Sequence, residues 1–203
     1  MSRNKEIQEQ RVRQYFIDAT REILKGEGLK AVNVRAVSER AGYSFATLYN
    51  YFKDLNEVIF ICVQDFMMEC EVMIERESTG LKPGFARIKK RMELFIRYFT
   101  QYPDIFELFY AERMNDTSSR QPTSSMIYLF TDKIIEEDVD KLLKDQTISQ
   151  SRAKNLRLSL KNSVIGLLLF YNNRMQPNNY QKFLEIATQQ IDICCGVVSK
   201  SND

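Results

Sequence analysis

The sequence predicts an all-α protein with about nine helices. Apolar residues recur every three or four positions along most of its 203 residues, as they do on the buried face of a helix. Only four prolines and seven glycines interrupt this pattern, which leaves room for long helices. No segment shows the sustained alternation of apolar and polar residues that is typical of a half-buried strand.

The amino-terminal part is predicted to form three helices. The first spans about residues 5–25 and ends at the Gly-Glu-Gly sequence of residues 26–28. A short second helix should begin after Asn33, whose side chain can accept an orphan backbone N–H. Gly42 should end it, because glycine tolerates the left-handed conformation found after a helix C-terminus. Ser44 should cap a third short helix.

Six further helices are expected after residue 53. They span about residues 54–77, 85–101, 104–113, 125–144, 149–175 and 178–199. Residues 78–84 contain a proline and two glycines and form the clearest break, and residues 114–124 are expected to be a polar loop. We therefore predict two domains, residues 1–53 and residues 54–203.

The composition argues against an enzyme. The chain has no histidine, which excludes His-based triads, His general bases and His metal ligands. Neither of the common phosphate-binding loop patterns is present. Carboxylate or tyrosine chemistry is the enzymatic alternative that stays open. We expect no catalytic residue, no cofactor and no metal.

The cysteines and the hydropathy pattern bear on the compartment. Cys62, Cys70, Cys194 and Cys195 lack C-x-x-C spacing, so we expect reduced thiols in the core; redox sensing is the alternative and needs an exposed, electropositive thiol. No apolar stretch is long enough to span a membrane, and the amino terminus lacks the apolar part of a signal peptide. The protein is therefore expected in the cytoplasm.

Residues 31–52 carry the strongest indication of function. Two capped helices joined by a tight glycine turn are the form of a helix-turn-helix, whose second helix enters the DNA major groove. Leu48 and Phe52 should face inward, and an ordinary helical corner is the alternative. Residues 1–53 hold ten Lys or Arg against six Asp or Glu, whereas residues 54–203 hold nineteen against twenty-one. The basic excess therefore lies where phosphate contacts would need it.

The segment from Arg11 to Val58 resembles the TetR family of transcriptional regulators. The stretches that carry the resemblance are RVRQYFIDATREILKGEG, VRAVSERAGYS and ATLYNYFKDLNEV. The resemblance implies an N-terminal three-helix DNA-binding domain followed by a C-terminal helical domain for ligand binding and dimerisation. Leu55 departs from the family pattern, which often has a phosphate-contacting Lys there, and Lys53 is a partial substitute.

The resemblance also implies which residues approach DNA. The eight residues are Arg35, Ser44, Phe45, Thr47, Tyr49, Asn50, Tyr51 and Lys53. The two tyrosines and Lys53 are expected on phosphates, whereas Phe45, Thr47 and Asn50 are expected at base edges. Arg35 could reach either a phosphate or a base edge. For Tyr49, packing within the protein is the alternative to a phosphate contact.

The expected partners are a palindromic double-stranded operator, a second copy of the chain and a small-molecule effector. The dimer interface is expected to use the last two helices, through Leu160, Val164, Leu167, Leu168, Tyr171, Phe183, Ile186, Ala187, Ile191 and Cys194. The alternative is that these apolar residues pack within one chain. The effector pocket implied by the family is assigned to Phe66, Met92, Phe95, Phe99, Phe106, Tyr110, Phe130 and Phe170, for which ordinary core packing is the alternative.

Together these observations predict a dimeric, sequence-specific DNA-binding regulator. It would act as a repressor that a small apolar or aromatic effector releases from its operator. The alternative is an all-α protein-interaction module that kept the fold and lost DNA binding. Salt dependence separates the two, because only a DNA binder has a phosphate affinity that falls steeply as salt rises.

Overall fold

The computed structural model describes residues 3–112 and 121–196, and these residues form ten α-helices, one 3-10 helix and no strand. The all-α prediction is confirmed. The α-helices are α1 Arg3–Gly26, α2 Val34–Ala41, α3 Phe45–Tyr51, α4 Leu55–Ser78, α5 Phe85–Gln101, α6 Pro103–Tyr110, α7 Gln121–Ile134, α8 Glu136–Lys144, α9 Gln150–Arg174 and α10 Tyr180–Cys195. The 3-10 helix spans Leu29–Ala31.

The predicted helix over residues 125–144 is two helices, α7 and α8, which are separated at Ile135. The carbonyl of Ile134 accepts a hydrogen bond of 2.7 Å from Arg91 of α5, so the C-terminus of α7 finds a partner outside its own helix. The expected loop over residues 114–124 lies largely outside the described residues, and α7 already begins at its end. The last helix ends at Cys195, one residue before a left-handed Gly196, and residues 197–203 also lie outside the described part.

The helices divide into two compact units. The first unit comprises Met1–Met68 and Asp104–Thr123, and the second comprises Glu69–Pro103 and Ser124–Asp203. The division falls within α4, near the start of α6 and again within α7.

In the first unit, α1 packs against α2 and α3. Phe16, Val37 and Leu48 are completely buried, one from each of these helices. Phe52, at the end of α3, meets Phe16 edge to face with ring centroids 6.3 Å apart. The Cys62 thiol of α4 donates to a carbonyl of α1 over 3.7 Å. The inward positions predicted for Leu48 and Phe52 are thus confirmed.

Helix α6 belongs to the first unit although it follows α5 in the chain. Gly28 has a φ of 75°, and a Cβ on it would lie 3.3 Å from the Asp104 carboxylate at the start of α6. Beyond the other end of the helix, Glu112 lies 3.6 Å from the Lys30 ammonium. The segment between α1 and α2 therefore contacts both ends of the α6 region.

In the second unit, α5 packs against α8, α9 and α10, and α9 packs along α10. Phe95 of α5 and Leu168 of α9 are completely buried. The rings of Tyr171 and Phe183 stack with centroids 4.2 Å apart and join α9 to α10. The apolar interior of this unit thus lies where α5, α9 and α10 meet.

A buried ion network also joins helices of the second unit. Asp138 of α8 is completely buried and accepts from Arg87 Nε at 2.7 Å and from the backbone N–H of Gly84 at 2.9 Å. Arg91 Nη1 lies 3.4 Å from the other oxygen of Asp138. Burial alone lowers the pKa of Arg87, but hydrogen bonds to Asp138 and Glu137 outweigh it and raise that pKa.

Candidate nucleic-acid interface

Backbone capping fixes the turn between α2 and α3. Asn33 Oδ1 accepts from the backbone N–H of Ala36 at 3.0 Å and begins α2, as predicted. Gly42 ends α2 in the left-handed conformation, with φ 76° and ψ 25°. Ser44 Oγ accepts from the backbone N–H of Thr47 at 3.2 Å and begins α3. The three predicted turn residues therefore have the predicted structural roles.

Helix α3 presents an open face. Leu48 points into the core of the first unit and is completely buried, whereas Phe45 is 65% exposed and Tyr49 is 52% exposed. Ala46 and Asn50 are exposed as well. At 100° per residue these four side chains form one continuous arc opposite Leu48. The helix is therefore held from one side and free to contact a partner on the other.

The cap of α3 engages two of the hydroxyl groups at its N-terminus. The hydroxyls of Ser44 and Thr47 lie 2.9 Å apart and hydrogen-bond each other, and Thr47 is half-buried. Tyr51 is half-buried too. The Thr47 hydroxyl takes part in the helix cap, and its contact with base edges stays a prediction.

Positively charged side chains flank α3. Arg35 of α2 is exposed and its Nε donates to Glu39 at 2.8 Å. That hydrogen bond raises the pKa of Arg35, so its charge is secure at any physiological pH. Lys53 is exposed just after α3, and its backbone N–H donates to Glu57 at 2.8 Å. All eight residues predicted to approach DNA lie in the first unit, and none of them is buried.

Sequence reasoning missed a pair of tyrosines beside the turn. The Tyr43 ring lies 6.0 Å from that of Tyr15 and 5.7 Å from that of Phe16, measured between centroids. Both tyrosines are exposed. Tyr15 precedes a core position of α1 and Tyr43 lies in the turn, so no local periodicity could bring them together.

A comparison with known families identifies this segment. Residues 16–59 match the sequence profile of "Bacterial regulatory proteins, tetR family". The match runs from α1 into α4 and includes the whole helix-turn-helix. Residues 16–59 are therefore similar to the DNA-binding segment of TetR-family regulators. This match confirms the resemblance noted in the sequence of this segment.

Solved structures agree with this fold. A proposed regulator of fatty acid metabolism from Clostridium perfringens is 17% identical with a TM-score of 0.68, covering 92% of this chain and 100% of its own. A TetR/AcrR-family regulator from Thermobifida fusca is 16% identical with a TM-score of 0.63, covering 93% and 98%. RolR in complex with resorcinol is 14% identical with a TM-score of 0.64, covering 97% of each chain. No curated protein matches the sequence significantly.

Most residues predicted to form a dimer interface belong to the core of the second unit. The buried ones are Leu160, Val164, Leu168, Phe183, Ala187, Ile191 and Cys194. Leu167 and Tyr171 are half-buried, and Ile186 is exposed. The predicted residues need this correction because α9 is apolar on more than one side, and the sequence alone does not say which side packs within the chain. A partner would have to contact the exposed side chains of α9 and α10, of which Ile186 is one.

The second unit holds five of the residues predicted for an effector pocket. Met92, Phe95, Phe99 and Phe130 are completely buried, and the Phe95 ring lies 4.7 Å from Phe99 and 5.9 Å from Phe130. Phe170 differs, since it is 62% exposed on α9. The structure therefore brings four of these residues into the apolar interior and turns the fifth outward.

The first unit holds the other three predicted pocket residues. Phe66 is completely buried, and its ring lies 5.5 Å from the Arg21 guanidinium and 5.8 Å from the Lys25 ammonium. The rings of Phe106 and Tyr110, both on α6, lie 5.2 Å apart. These residues have packing roles within their unit.

Two cavities of the second unit are lined by other side chains. An open groove of about 620 Å³ lies between α5 and α10, with Leu94 and Leu184 among its apolar residues and Glu93, Arg97 and Glu185 among its charged ones. A smaller cleft of about 270 Å³ lies between α4, α5 and α7. Neither is lined by any of the eight residues predicted for an effector pocket.

The cysteines lie in the interior. All four are buried as free thiols, and burial raises the pKa of Cys62 to about 12 and that of Cys195 to about 11. Within residues 3–112 and 121–196, no group of acidic or thiol side chains is arranged to hold a metal ion. None of the helices in the described part is both long enough and apolar enough to cross a membrane.

Proposed function

We propose that this chain is a homodimeric repressor that binds a palindromic operator and leaves it when a small aromatic or apolar effector binds. The observation that carries the proposal is the exposed face of α3, supported from behind by Leu48 and flanked by Arg35 and Lys53. A recognition helix needs this combination of a rigid back and an open front to enter a major groove. Such a repressor would act in the cytoplasm, where operator DNA lies.

DNA binding is tested by fluorescence anisotropy at several salt concentrations. Lys53→Ala should weaken binding to all sequences and reduce the slope of log K against log salt by about one unit, because one phosphate contact is lost. Lys144→Ala is the matched control, since it removes an exposed lysine at the end of α8. Absence of DNA affinity even at low salt would reject the proposal and favour the protein-interaction module.

Dimerisation is proposed through the outward faces of α9 and α10. Leu158, Leu169 and Phe170 of α9 are exposed, as are Ile186 and Ile193 of α10. Leu158 and Leu169 are eleven residues apart and Ile186 and Ile193 are seven apart, so each pair repeats on one side of its helix. These faces could pack against the same faces of a second chain as a four-helix bundle. A two-fold dimer would then place two α3 helices about 34–36 Å apart for a palindrome.

Sedimentation analysis of Leu169→Asp tests this interface. The variant should sediment as a monomer and bind operator DNA far more weakly, since a charge cannot be buried between two apolar faces without a partner. Leu81→Asp is the matched control, because Leu81 is similarly exposed, 41% against 40%, in the segment between α4 and α5. A wild-type chain that is monomeric at micromolar concentration would contradict the proposal.

An aromatic or apolar effector is proposed from the aromatic interior of the second unit and from the structural neighbour solved with resorcinol. Helix α4 is the proposed coupling segment, because Leu55–Met68 belongs to the first unit and Glu69–Ser78 to the second. The effector would favour a conformation with lower affinity for the operator. Resorcinol and medium-chain fatty acids are the first ligands to test, by thermal shift and by release of labelled operator. Ligands that bind and leave operator affinity unchanged would contradict this mechanism.

A further inference from the structure

The exposed face of α3 carries no charged side chain. Its four members are Phe45, Ala46, Tyr49 and Asn50, and the whole stretch from Ala41 to Phe52 lacks Lys, Arg, Asp and Glu. A recognition helix without a cation differs chemically from one that reads guanine, because the usual guanine contact is a bidentate Arg or Lys to O6 and N7. The identity of these side chains therefore limits which bases α3 can select.

The polar groups on this face are few. Thr47 Oγ1 lies 2.9 Å from Ser44 Oγ within the cap, and Thr47 is half-buried. Asn50 carries the only side-chain amide of α3, and it lies on the exposed arc. A carboxamide matches adenine, since it can accept from N6 and donate to N7 at the same time. Asn50 is thus the residue of α3 best suited to a bidentate base contact.

The apolar members lie in the first turn of the helix. Phe45 is 65% exposed, and Ala46 beside it is exposed as well. N-terminal residues of a recognition helix are those that usually reach base edges. Thymine is the base that offers an apolar group in the major groove, its C5 methyl. Contact with these methyls would also remove an exposed aromatic ring from water.

Two arginines of the helix-turn-helix region are engaged in ion pairs, and exposed Lys53, just after α3, is the proposed phosphate contact. Arg35 Nε donates to Glu39 at 2.8 Å, and Arg40 lies 2.8 Å from Glu27. Arg35 lies on α2 rather than α3. A guanine contact from Arg35 would therefore come from α2 and not from the face of α3.

From this face we infer that α3 selects A·T base pairs, with Asn50 on an adenine and Phe45 and Ala46 against thymine methyls. The inference rests on the proposed function and specifies its DNA. Each half-site should therefore have an A·T core where α3 enters the groove. Any G·C preference should lie outside that core.

Selection of the full-length protein on random duplexes, followed by affinity measurements on the selected operator, tests this inference. The recovered half-sites should have an A·T core. Replacing the core thymidines with deoxyuridine removes only the methyl groups and should weaken wild-type binding several-fold. The same replacement should have much less effect on Phe45→Ala, whose binding no longer depends on those methyls.

The amide is tested on the same operator. Asn50→Ala should lose roughly tenfold or more in affinity and lose discrimination at one base pair, which is the usual effect of removing a bidentate contact. Lys144→Ala, which removes an exposed lysine at the end of α8, is the control and should leave both the affinity and the preference for the A·T core unchanged. A core of G·C pairs, or full affinity for the deoxyuridine operator, would overturn the inference while DNA binding itself stands. A protein that binds no duplex at low salt would instead reject the proposed function and the inference with it.

Discussion

Asp138→Asn tests how much the buried ion network contributes to the second unit. Asp138 is completely buried and accepts from Arg87 Nε at 2.7 Å and from Gly84 N at 2.9 Å, with Arg91 at 3.4 Å. Asparagine keeps the shape of the side chain but removes the negative charge that the two arginines share. Removing one partner of a buried ion pair costs about 3–5 kcal/mol.

Two exposed carboxylates moderate this cost. Glu137 lies 2.7 Å from Arg87, and Glu75 lies 2.5 Å from Arg91, so neither guanidinium is left without a counter-charge. We therefore expect a loss near the lower end of the range, about 3 kcal/mol in free energy of unfolding. With a urea dependence of about 2–3 kcal/mol per molar, the midpoint should fall by about 1–1.5 M.

Urea unfolding followed by far-UV circular dichroism measures the effect. Asp140→Asn is the matched control on the same helix, since Asp140 is 67% exposed and lies 3.6 Å from Arg157. An exposed pair of this kind contributes less than about 1 kcal/mol. If Asp138→Asn lowers the midpoint no more than Asp140→Asn does, the network does not stabilise the second unit as argued.

Three further predictions concern other parts of the chain. Ser44→Ala removes the 3.2 Å hydrogen bond that caps α3, so it should lower the free energy of unfolding by about 1 kcal/mol and weaken operator binding. Ser44→Asn, which can also cap, should restore both stability and binding. Thermal unfolding and anisotropy measure these effects, and a Ser44→Ala variant with wild-type stability and affinity would contradict the prediction. Gly28→Ala should lower the free energy of unfolding by about 1–2 kcal/mol, because its φ is 75° and the new Cβ would lie 3.3 Å from Asp104. Gly26→Ala is the control and should cost no stability, because a Cβ there would meet open space. Equal unfolding midpoints for the two variants would refute the argument. Since burial raises the pKa of Cys62 to about 12, its thiolate fraction at pH 8 is on the order of one in ten thousand. Iodoacetamide should therefore label the native protein far more slowly than the urea-unfolded protein. Fast labelling of the native protein would contradict this prediction and favour redox sensing.

The helix-turn-helix was predictable because its determinants are local. Asn33, Gly42 and Ser44 each act on backbone groups within four residues of themselves, so their chemistry can be recognised without knowing the rest of the fold. Leu48 was predictable as inward-facing for the same reason, since helical spacing fixes its direction relative to its neighbours.

The second unit was less predictable because its determinants are distant in sequence. The break at Ile135 has no proline or glycine to indicate it, and the Arg91 side chain that binds the Ile134 carbonyl comes from another helix. On α9, Leu160 and Leu169 are equally apolar, yet one is buried and the other exposed. Periodicity shows that a helix has apolar sides, but only the positions of its neighbours determine which side is the core. The hydrogen bond between the Thr47 and Ser44 hydroxyls was likewise not predicted, because the sequence does not show how the two side chains are oriented.

The assignment of α6 to the first unit limits how this protein can be cut and fused. Because the chain leaves that unit after Met68 and returns at Asp104, a fragment ending at either residue 53 or residue 68 would lack Asp104 against Gly28 and Glu112 against Lys30. Grafting the proposed DNA-binding part onto another protein would thus require carrying α6 along, through a linker that replaces residues 69–103.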